Sequence, residues 1–261
     1  MSEQSPEMGI DTTVPHSARV WNYLLGGKDY YSVDAELGER LFQEHPEAAA
    51  VAPASRLFLH RVISYLTQQV GMDQFLDIGT GLPTADNTHE VAQRNLPTAR
   101  IVYVDNDPLV LAHAHALLVS GPQGSTDYIQ ADVEDPDTVL AGAAETLDLT
   151  RPVGLTLLSM LGHIPDPDAA ARLVRRYTSR LASGSYLAVC DSIDSPEMLA
   201  QQETYTASGA VPYIVRTREQ IAATAEGCEL VDPGLVPVTH WRPQSERPTP
   251  THQWGFLARV P

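Results

Sequence analysis

Apolar positions along the chain change their spacing near Gly71, and this change divides the sequence into two parts. From His16 to Gly71 the apolar residues recur every three or four positions, which predicts amphipathic helices. Residues 1–15 are polar and acidic without any such period, so we expect a flexible N-terminus there. We therefore predict a separate helical segment over residues 16–71.

Beyond Gly71, short apolar runs alternate with stretches of helical spacing. The runs predict strands at residues 74–79, 100–105, 126–132, 153–161 and 185–193. Such alternation is typical of βαβ units, whose parallel strands are buried on both faces and joined by right-handed crossovers. Two later runs, 228–241 and 252–260, are joined by a proline-rich loop instead of a helix, which predicts antiparallel pairing. Residues 72–261 should therefore form an α/β domain with a Rossmann-like, doubly wound sheet that is mostly parallel and has an antiparallel last strand.

Composition and charge narrow the kinds of partner. The formal net charge is −16 and Lys28 is the single lysine, whereas nucleic-acid binding draws on clustered basic residues. No apolar run approaches the ~20 residues that a membrane-spanning helix needs, and the N-terminus has no signal-peptide pattern. Cys190 and Cys228 give neither a disulfide framework nor a metal-ligand spacing. We expect a cytoplasmic protein that binds a small molecule and neither nucleic acid, membrane nor metal; the sequence leaves the oligomeric state open.

Candidate chemistry begins where the first predicted strand ends. Asp77 closes that strand, and Gly79, Thr80 and Gly81 form the turn into the following helix. Glycines let the backbone approach a ligand closely and tolerate positive φ angles. The third glycine of the dinucleotide fingerprint is replaced by Thr84. Because a carboxylate before the turn would repel a pyrophosphate but pair with an amino group, this pattern favours a cationic cofactor over NAD.

The next two predicted strands also end in aspartates. Asp105 lies 26 residues beyond the first glycine of the turn, the distance at which an acidic side chain reaches a ribose diol in this architecture. Asp132, between Ala131 and Val133, is placed to accept a hydrogen bond from an adenine amino group. Asn106 is a further candidate for the ribose or adenine, although a helix-capping role explains it equally well. Three consecutive strands that end in aspartate predict a nucleotide-cofactor site at one edge of the sheet.

These three stretches resemble the glycine-rich, acidic and adenine-side motifs of class I S-adenosylmethionine-dependent methyltransferases. More specifically, residues 15–34 (PHSARVWNYLLGGKDYYSVD), 77–84 (DIGTGLPT) and 240–243 (HWRP) resemble an actinobacterial family of predicted S-adenosylmethionine-dependent methyltransferases, long catalogued as a domain of unknown function. The resemblance covers nearly the whole chain after residue 14. It implies the class I fold and S-adenosylmethionine as the cofactor, and it implies little about the substrate.

The N-terminal stretch concentrates aromatic, amide and charged side chains before the first strand, which suits a helical lid over the cofactor. We expect Arg19 or Asn22 to bind the cofactor carboxylate and Tyr23 to line the substrate cavity. An equally good interpretation is a capping helix in which Trp21 and Leu24 pack on the sheet.

The fourth predicted strand runs into Ser159, Met160 and His163. In the broader fold, residues just beyond this strand flank the transferring methyl group, so these three are site candidates. His163 is the candidate general base because its ordinary pKa lies near neutral pH, although a plain hydrogen bond to the loop backbone is slightly favoured. Near the end of the chain, Trp241 and Arg242 either close the substrate cavity or pack the terminal strands.

The leading hypothesis is a methyltransferase that acts on a small molecule with S-adenosylmethionine as methyl donor. One alternative is a binding protein that keeps the cofactor pocket without transfer chemistry. An NAD-dependent oxidoreductase is less favoured, because the third glycine is missing and the sheet is expected to end antiparallel.

Overall fold

A computed structural model describes residues 10–84, 86–117 and 120–261. The strands are β1 (Gln74–Ile78), β2 (Arg100–Asp105), β3 (Ser125–Gln130), β4 (Gly154–Leu158), β5 (Tyr186–Ser192), β6 (Glu229–Leu230), β7 (Val236–Pro237) and β8 (Gln253–Arg259). In these described ranges they form one sheet in the order β3-β2-β1-β4-β5-β8-β6, and β7 also pairs with β8. Strands β1 to β5 run parallel, and β8 runs antiparallel to β5. The predicted mostly parallel sheet with an antiparallel last strand is confirmed.

Helices connect the strands and cover the sheet. They are α1 (Ser17–Leu24), α2 (Ser32–Glu44), α3 (Ala48–Tyr65), α4 (Thr88–Asn95), α5 (Pro108–Leu117), α6 (Pro136–Ala143), α7 (Pro167–Thr178), α8 (Pro196–Ala207) and α9 (Arg218–Ala223). Local sequence fixes several starts: Asn87 and Glu90 cap α4 reciprocally, while Asp135 and Asp166 cap α6 and α7 just before a proline. None of the described helices is long and apolar enough to cross a bilayer.

Both faces of the sheet are buried, which explains the nearly continuous apolar runs. On one face, Phe58 and Ile63 of α3 pack with Phe75 of β1 in a cluster that also includes residues of α4. On the other face, residues of α6, α7 and α9 pack against Leu76 of β1 and Val102 of β2. Because α3 belongs to one of these layers, residue 71 does not separate two packing units.

A third cluster joins helices that are distant in sequence. Val20 of α1, Leu37 and Leu41 of α2, and Tyr205 of α8 pack together with Ala210. We call α1, α2 and α8 the cap. The N-terminal segment therefore does not form the cap alone, since α8 comes from the connection between β5 and β8.

Two predicted strands differ most from the observed ones. The predicted strand 228–241 is broken into β6 and β7, because a turn with Gly234 at φ +80° intervenes and Pro233 lacks the N–H that a ladder needs. The predicted strand 153–161 stops at Leu158, since Ser159 adopts a left-handed conformation with φ +57°.

Candidate active site

A cavity of about 480 Å³ lies between the carboxyl ends of the strands and the cap. It spans the point where the strand order reverses between β1 and β4, where ligands bind in open α/β sheets. Most of the predicted site residues line it: Asp77, Gly79, Thr80, Gly81, Asp105, Asn106, Ala131, Asp132, Val133, Ser159, Met160 and His163. They converge because the carboxyl ends of neighbouring parallel strands meet at one edge.

The turn after β1 needs its two glycines for different reasons. Gly79 (φ +71°) packs so tightly that a Cβ would lie 2.9 Å from the Cβ of Met160. Gly81 (φ +64°) faces open space, and a Cβ there would meet nothing within 4 Å. The turn therefore leaves a cradle of bare backbone at the cavity wall, which fits a ligand that lies close to the main chain.

Asp77 is a buried carboxylate held by two hydroxyl groups. It accepts hydrogen bonds from Thr156 Oγ1 and Thr88 Oγ1, both at 2.6 Å. Burial raises the pKa of the Asp77 carboxyl, and the two hydrogen bonds together with the charge of Arg56 oppose that rise. A group in this setting favours a cationic partner in the cavity.

Arg56 of α3 also lines the cavity, and sequence reasoning missed it. Its guanidinium has no hydrogen bond or ion pair with the residues that the structure describes. Burial lowers the pKa of Arg56, and the negative charge of Asp77 is the largest opposing influence. An unpaired cation beside Asp77 suits the two charges of an α-amino acid, with the carboxylate on Arg56 and the ammonium on Asp77. The available signal was Arg56, one of two arginines in the largely apolar sequence of α3.

The aspartate at the end of β2 is tied to the glycine turn and indirectly to the cap. Asp105 accepts hydrogen bonds from the backbone N–H of Gly81 (2.9 Å) and of Asp107 (3.0 Å). Burial raises the pKa of Asp105, and these hydrogen bonds oppose the rise. Asp107 in turn lies 3.1 Å from Nδ1 of His16, which precedes α1 and lines the cavity. Asp132, two residues beyond the end of β3, is exposed.

His163 lies in a short 3₁₀ turn beyond β4 and is half-buried. Its Nδ1 lies 3.0 Å from the carbonyl oxygen of Pro212. Because a carbonyl only accepts, Nδ1 carries the proton and the neutral ring has its lone pair on Nε2. Nε2 has no hydrogen-bond partner in the described part of the chain. Burial lowers the pKa of His163, and the bond to Pro212 opposes this shift, so the ring is neutral at pH 7.

A polar network supports the cavity floor next to His163. The Oγ of Ser159 accepts a hydrogen bond from Gln253 Nε2 at 2.6 Å and lies 3.1 Å from Ser55 Oγ. Ser192 donates to the other amide atom of Gln253. These contacts hold Ser159 in its unusual backbone conformation, which turns the chain into the His163 loop.

The structure places Arg19 and Asn22 away from the cavity lining, which corrects their expected role. Arg19 is 2% exposed, and its Nε lies 3.1 Å from Asp34. Its terminal nitrogens donate to the carbonyl oxygens of Asp11 and Val14. Asn22 accepts a hydrogen bond from the backbone N–H of Asp29. Both side chains therefore stabilise the N-terminal segment; Nδ2 of Asn22 is buried without a hydrogen-bond partner among the described residues, but it belongs to a residue outside the cavity lining.

Tyr23 is also displaced from its expected position. Its hydroxyl donates to Glu39, and its ring packs against Tyr30 and Phe42 on the outer side of α1. The same helix supplies Val20, Trp21 and Leu24 to the cavity.

Trp241 and Arg242, near the end of the chain, both pack against α3. Trp241 is fully buried and contacts Phe58 and Tyr65 edge-on. Arg242 stacks 4.1 Å above the ring of Tyr65. The sequence left open whether these two residues close the substrate cavity or pack the terminal strands, and this placement agrees with packing.

Comparison with known proteins agrees with this arrangement. A family model described as S-adenosyl methyltransferase matches residues 3–260. A DUF574-family protein from Streptomyces avermitilis is 41% identical, with 96% of this chain and 99% of that chain covered and a TM-score of 0.90. A predicted methyltransferase from Thermobifida fusca is 36% identical, with 99% of both chains covered and a TM-score of 0.89. No functionally curated protein matches the chain.

A more distant structure extends the similarity of fold. The plantazolicin methyltransferase BpumL, solved in complex with a triazolic desmethylPZN analog and SAH, is 12% identical, with 94% of this chain and 96% of that chain covered and a TM-score of 0.54. At 12% sequence identity, this similarity shows only that the two proteins share a fold.

Proposed function

Because the chain belongs to the family of S-adenosyl methyltransferases, we propose that it methylates a small molecule bound beneath the cap. S-adenosylmethionine is its cofactor. The observation that supports this function best is a single cavity that connects the strand-end aspartates with His163. That cavity would hold the nucleotide at the strand ends and the acceptor at His163, whose Nε2 has no hydrogen-bond partner among the described residues.

The residues of the strand ends suit the parts of the cofactor. Asp105 would bind the ribose hydroxyls, and Asn106 with residues 131–133 would bind the adenine; all of them line the cavity. Arg56 and Asp77 would hold the carboxylate and ammonium of its amino-acid part. When bound, S-adenosylmethionine would supply a methyl group attached to a positively charged sulfur. As the methyl group is transferred, the carbon–sulfur bond breaks and its electron pair stays on the sulfur.

His163 would remove the proton that the acceptor loses. Nε2 takes the proton of a hydroxyl group, while the hydrogen bond from Nδ1 to Pro212 keeps the ring oriented. The proton then passes to solvent. The remaining contribution of the protein is orientation of the acceptor in a cavity shielded from water.

Transfer of a labelled methyl group tests the proposal. The protein is incubated with methyl-labelled S-adenosylmethionine and a small-molecule extract of its source cells. We expect label in a small-molecule product, and a loss of roughly 10²–10⁴-fold in rate for His163→Asn, because general-base catalysis has that size. If S-adenosylhomocysteine binds but no extract component is ever labelled, the protein is a binding protein without transfer chemistry.

A further inference from the structure

The cavity has two chemically different halves. Its charged and titratable lining residues lie at and just beyond the strand ends, on α3 at Arg56, and at His16 before α1. The half formed by the cap and residues 211–215 has no charged side chain among the described lining residues. Its apolar surface comes from Val20, Leu24, Leu41, Met198, Val211 and Val215. The ion pair of Arg19 and Asp34 is not part of the cavity lining, and Asp34 also accepts hydrogen bonds from the backbone N–H of His16 and of Tyr31.

Two buried polar atoms on α8 lie in this otherwise apolar half of the cavity. The Oε1 atom of Gln201 and the hydroxyl of Tyr205 are both buried without a hydrogen-bond partner in the described structure. Tyr205 is 9% exposed, and both residues line the cavity. Their spacing of four positions puts them on the same side of the helix. The neighbouring Gln202 differs, because its Oε1 accepts a hydrogen bond from Val215 at 2.7 Å.

Unpartnered buried polar atoms lose hydration without compensation, so a ligand that completes their hydrogen bonds is favoured. Gln201 Oε1 only accepts, whereas the Tyr205 hydroxyl can donate. A hydroxyl or amide group of a ligand matches this pair. A carboxylate or an alkylammonium would instead lose its hydration in this half without meeting an opposite charge, which is strongly unfavourable.

We propose that the substrate is an uncharged, largely apolar hydroxy compound, with its acceptor hydroxyl at His163 and a second polar group bound by Gln201 and Tyr205. This inference rests on the proposed function. A phenol fits best, because its proton is acidic enough for an imidazole to remove as the methyl group is transferred. The oxygen gains the methyl carbon, and the hydroxyl proton goes to Nε2 of His163.

The test uses the protein saturated with S-adenosylhomocysteine and three matched fragment sets. Each set has the same aromatic rings, with a hydroxyl group in the first, a carboxylate in the second and an aminomethyl group in the third. Binding at pH 7.5 is measured by ligand-observed NMR. We expect the hydroxy set to bind at least about tenfold more tightly than the charged sets. Some fragments of the hydroxy set carry a second polar group. Gln201→Leu and Tyr205→Phe should each lower the affinity for these fragments by about tenfold.

The exposed Glu203 on the same helix provides the control, and Glu203→Gln should change nothing. Equal or tighter binding of carboxylates or amines, binding of no set, or insensitivity to both α8 substitutions would each overturn the inference. Titration with S-adenosylhomocysteine comes first: absence of cofactor binding contradicts the proposed function, whereas cofactor binding with charged fragment hits contradicts only the substrate class.

Discussion

The guanidinium of Arg56 lies in the cavity wall near the buried carboxylate of Asp77 and has no hydrogen bond or ion pair with the residues that the structure describes. If Arg56 binds the cofactor carboxylate, Arg56→Gln should lower the affinity for S-adenosylhomocysteine by about 10- to 100-fold, the size of a lost charge-assisted hydrogen bond. Calorimetry with 5′-methylthioadenosine, which has the nucleoside and sulfur but no amino acid, should show no change. Arg40→Gln on the exposed face of α2 is the charge-matched control. Equal losses for both ligands would show that Arg56 does not recognise the amino-acid part.

His163 makes the pH dependence of transfer predictable. Its pKa lies below its ordinary value because burial disfavours the charged ring. The base is therefore lost only as the pH falls through that lowered pKa, so the rate should be flat above about pH 6.5 and decline on the acid side. With the acceptor found by labelling, rate profiles of the wild type and His163→Asn measure this. An acid limb that persists unchanged in His163→Asn would assign the titration to another group.

Residue roles on α1 show the limit of sequence reasoning at this scale. The helical pattern placed Arg19 and Arg56 in similar amphipathic contexts, and we expected the first to meet the cofactor. What separates them is Asp34 of α2, which packs beside Arg19 and neutralises it. That contact depends on how α1 and α2 pack together, and the spacing of apolar residues within either helix does not predict it.

Among the elements, the cap depends on this buried ion pair. Asp34 also accepts hydrogen bonds from the backbone N–H of His16 and of Tyr31, so it joins the starts of α1 and α2. Arg19→Ala should lower the free energy of unfolding by about 3–5 kcal/mol, because it leaves a buried charge without its partner. Denaturant unfolding measures the loss, and Arg40→Ala on the surface should change stability by less than about 1 kcal/mol.

The same variant also distinguishes the two roles considered for Arg19. At a temperature at which circular dichroism shows the variant to be folded, its affinity for S-adenosylhomocysteine should equal that of the wild type. A large loss of affinity with unchanged stability would return Arg19 to the cofactor site.

The sequence predicted the strands of the parallel sheet well, because burial on both faces leaves uninterrupted apolar runs. It did not predict that α8 completes the cap with α1 and α2. That packing joins residues about 180 positions apart, such as Val20 and Tyr205, and no local spacing reports it.

At the scale of the whole molecule, two walls of different origin enclose the cavity. The wall with Asp77, Asp105 and Asp132 could be predicted, since strand ends of a parallel sheet converge at one edge whatever the rest of the chain does. The opposite wall, formed by the cap and residues 211–215, arises from long-range packing and appears only in the structure. The cofactor was therefore predictable from the sequence, while the evidence for the substrate class comes from the fold.

The most direct test of S-adenosylmethionine binding at the strand ends is calorimetric titration of the wild type and Asp105→Ala with S-adenosylhomocysteine and with NAD. We predict one S-adenosylhomocysteine per chain, no measurable binding of NAD, and affinity lower by roughly 1–3 kcal/mol in Asp105→Ala, the scale of a lost hydrogen bond to a charged group. Tight binding of NAD together with none of S-adenosylhomocysteine would contradict the account.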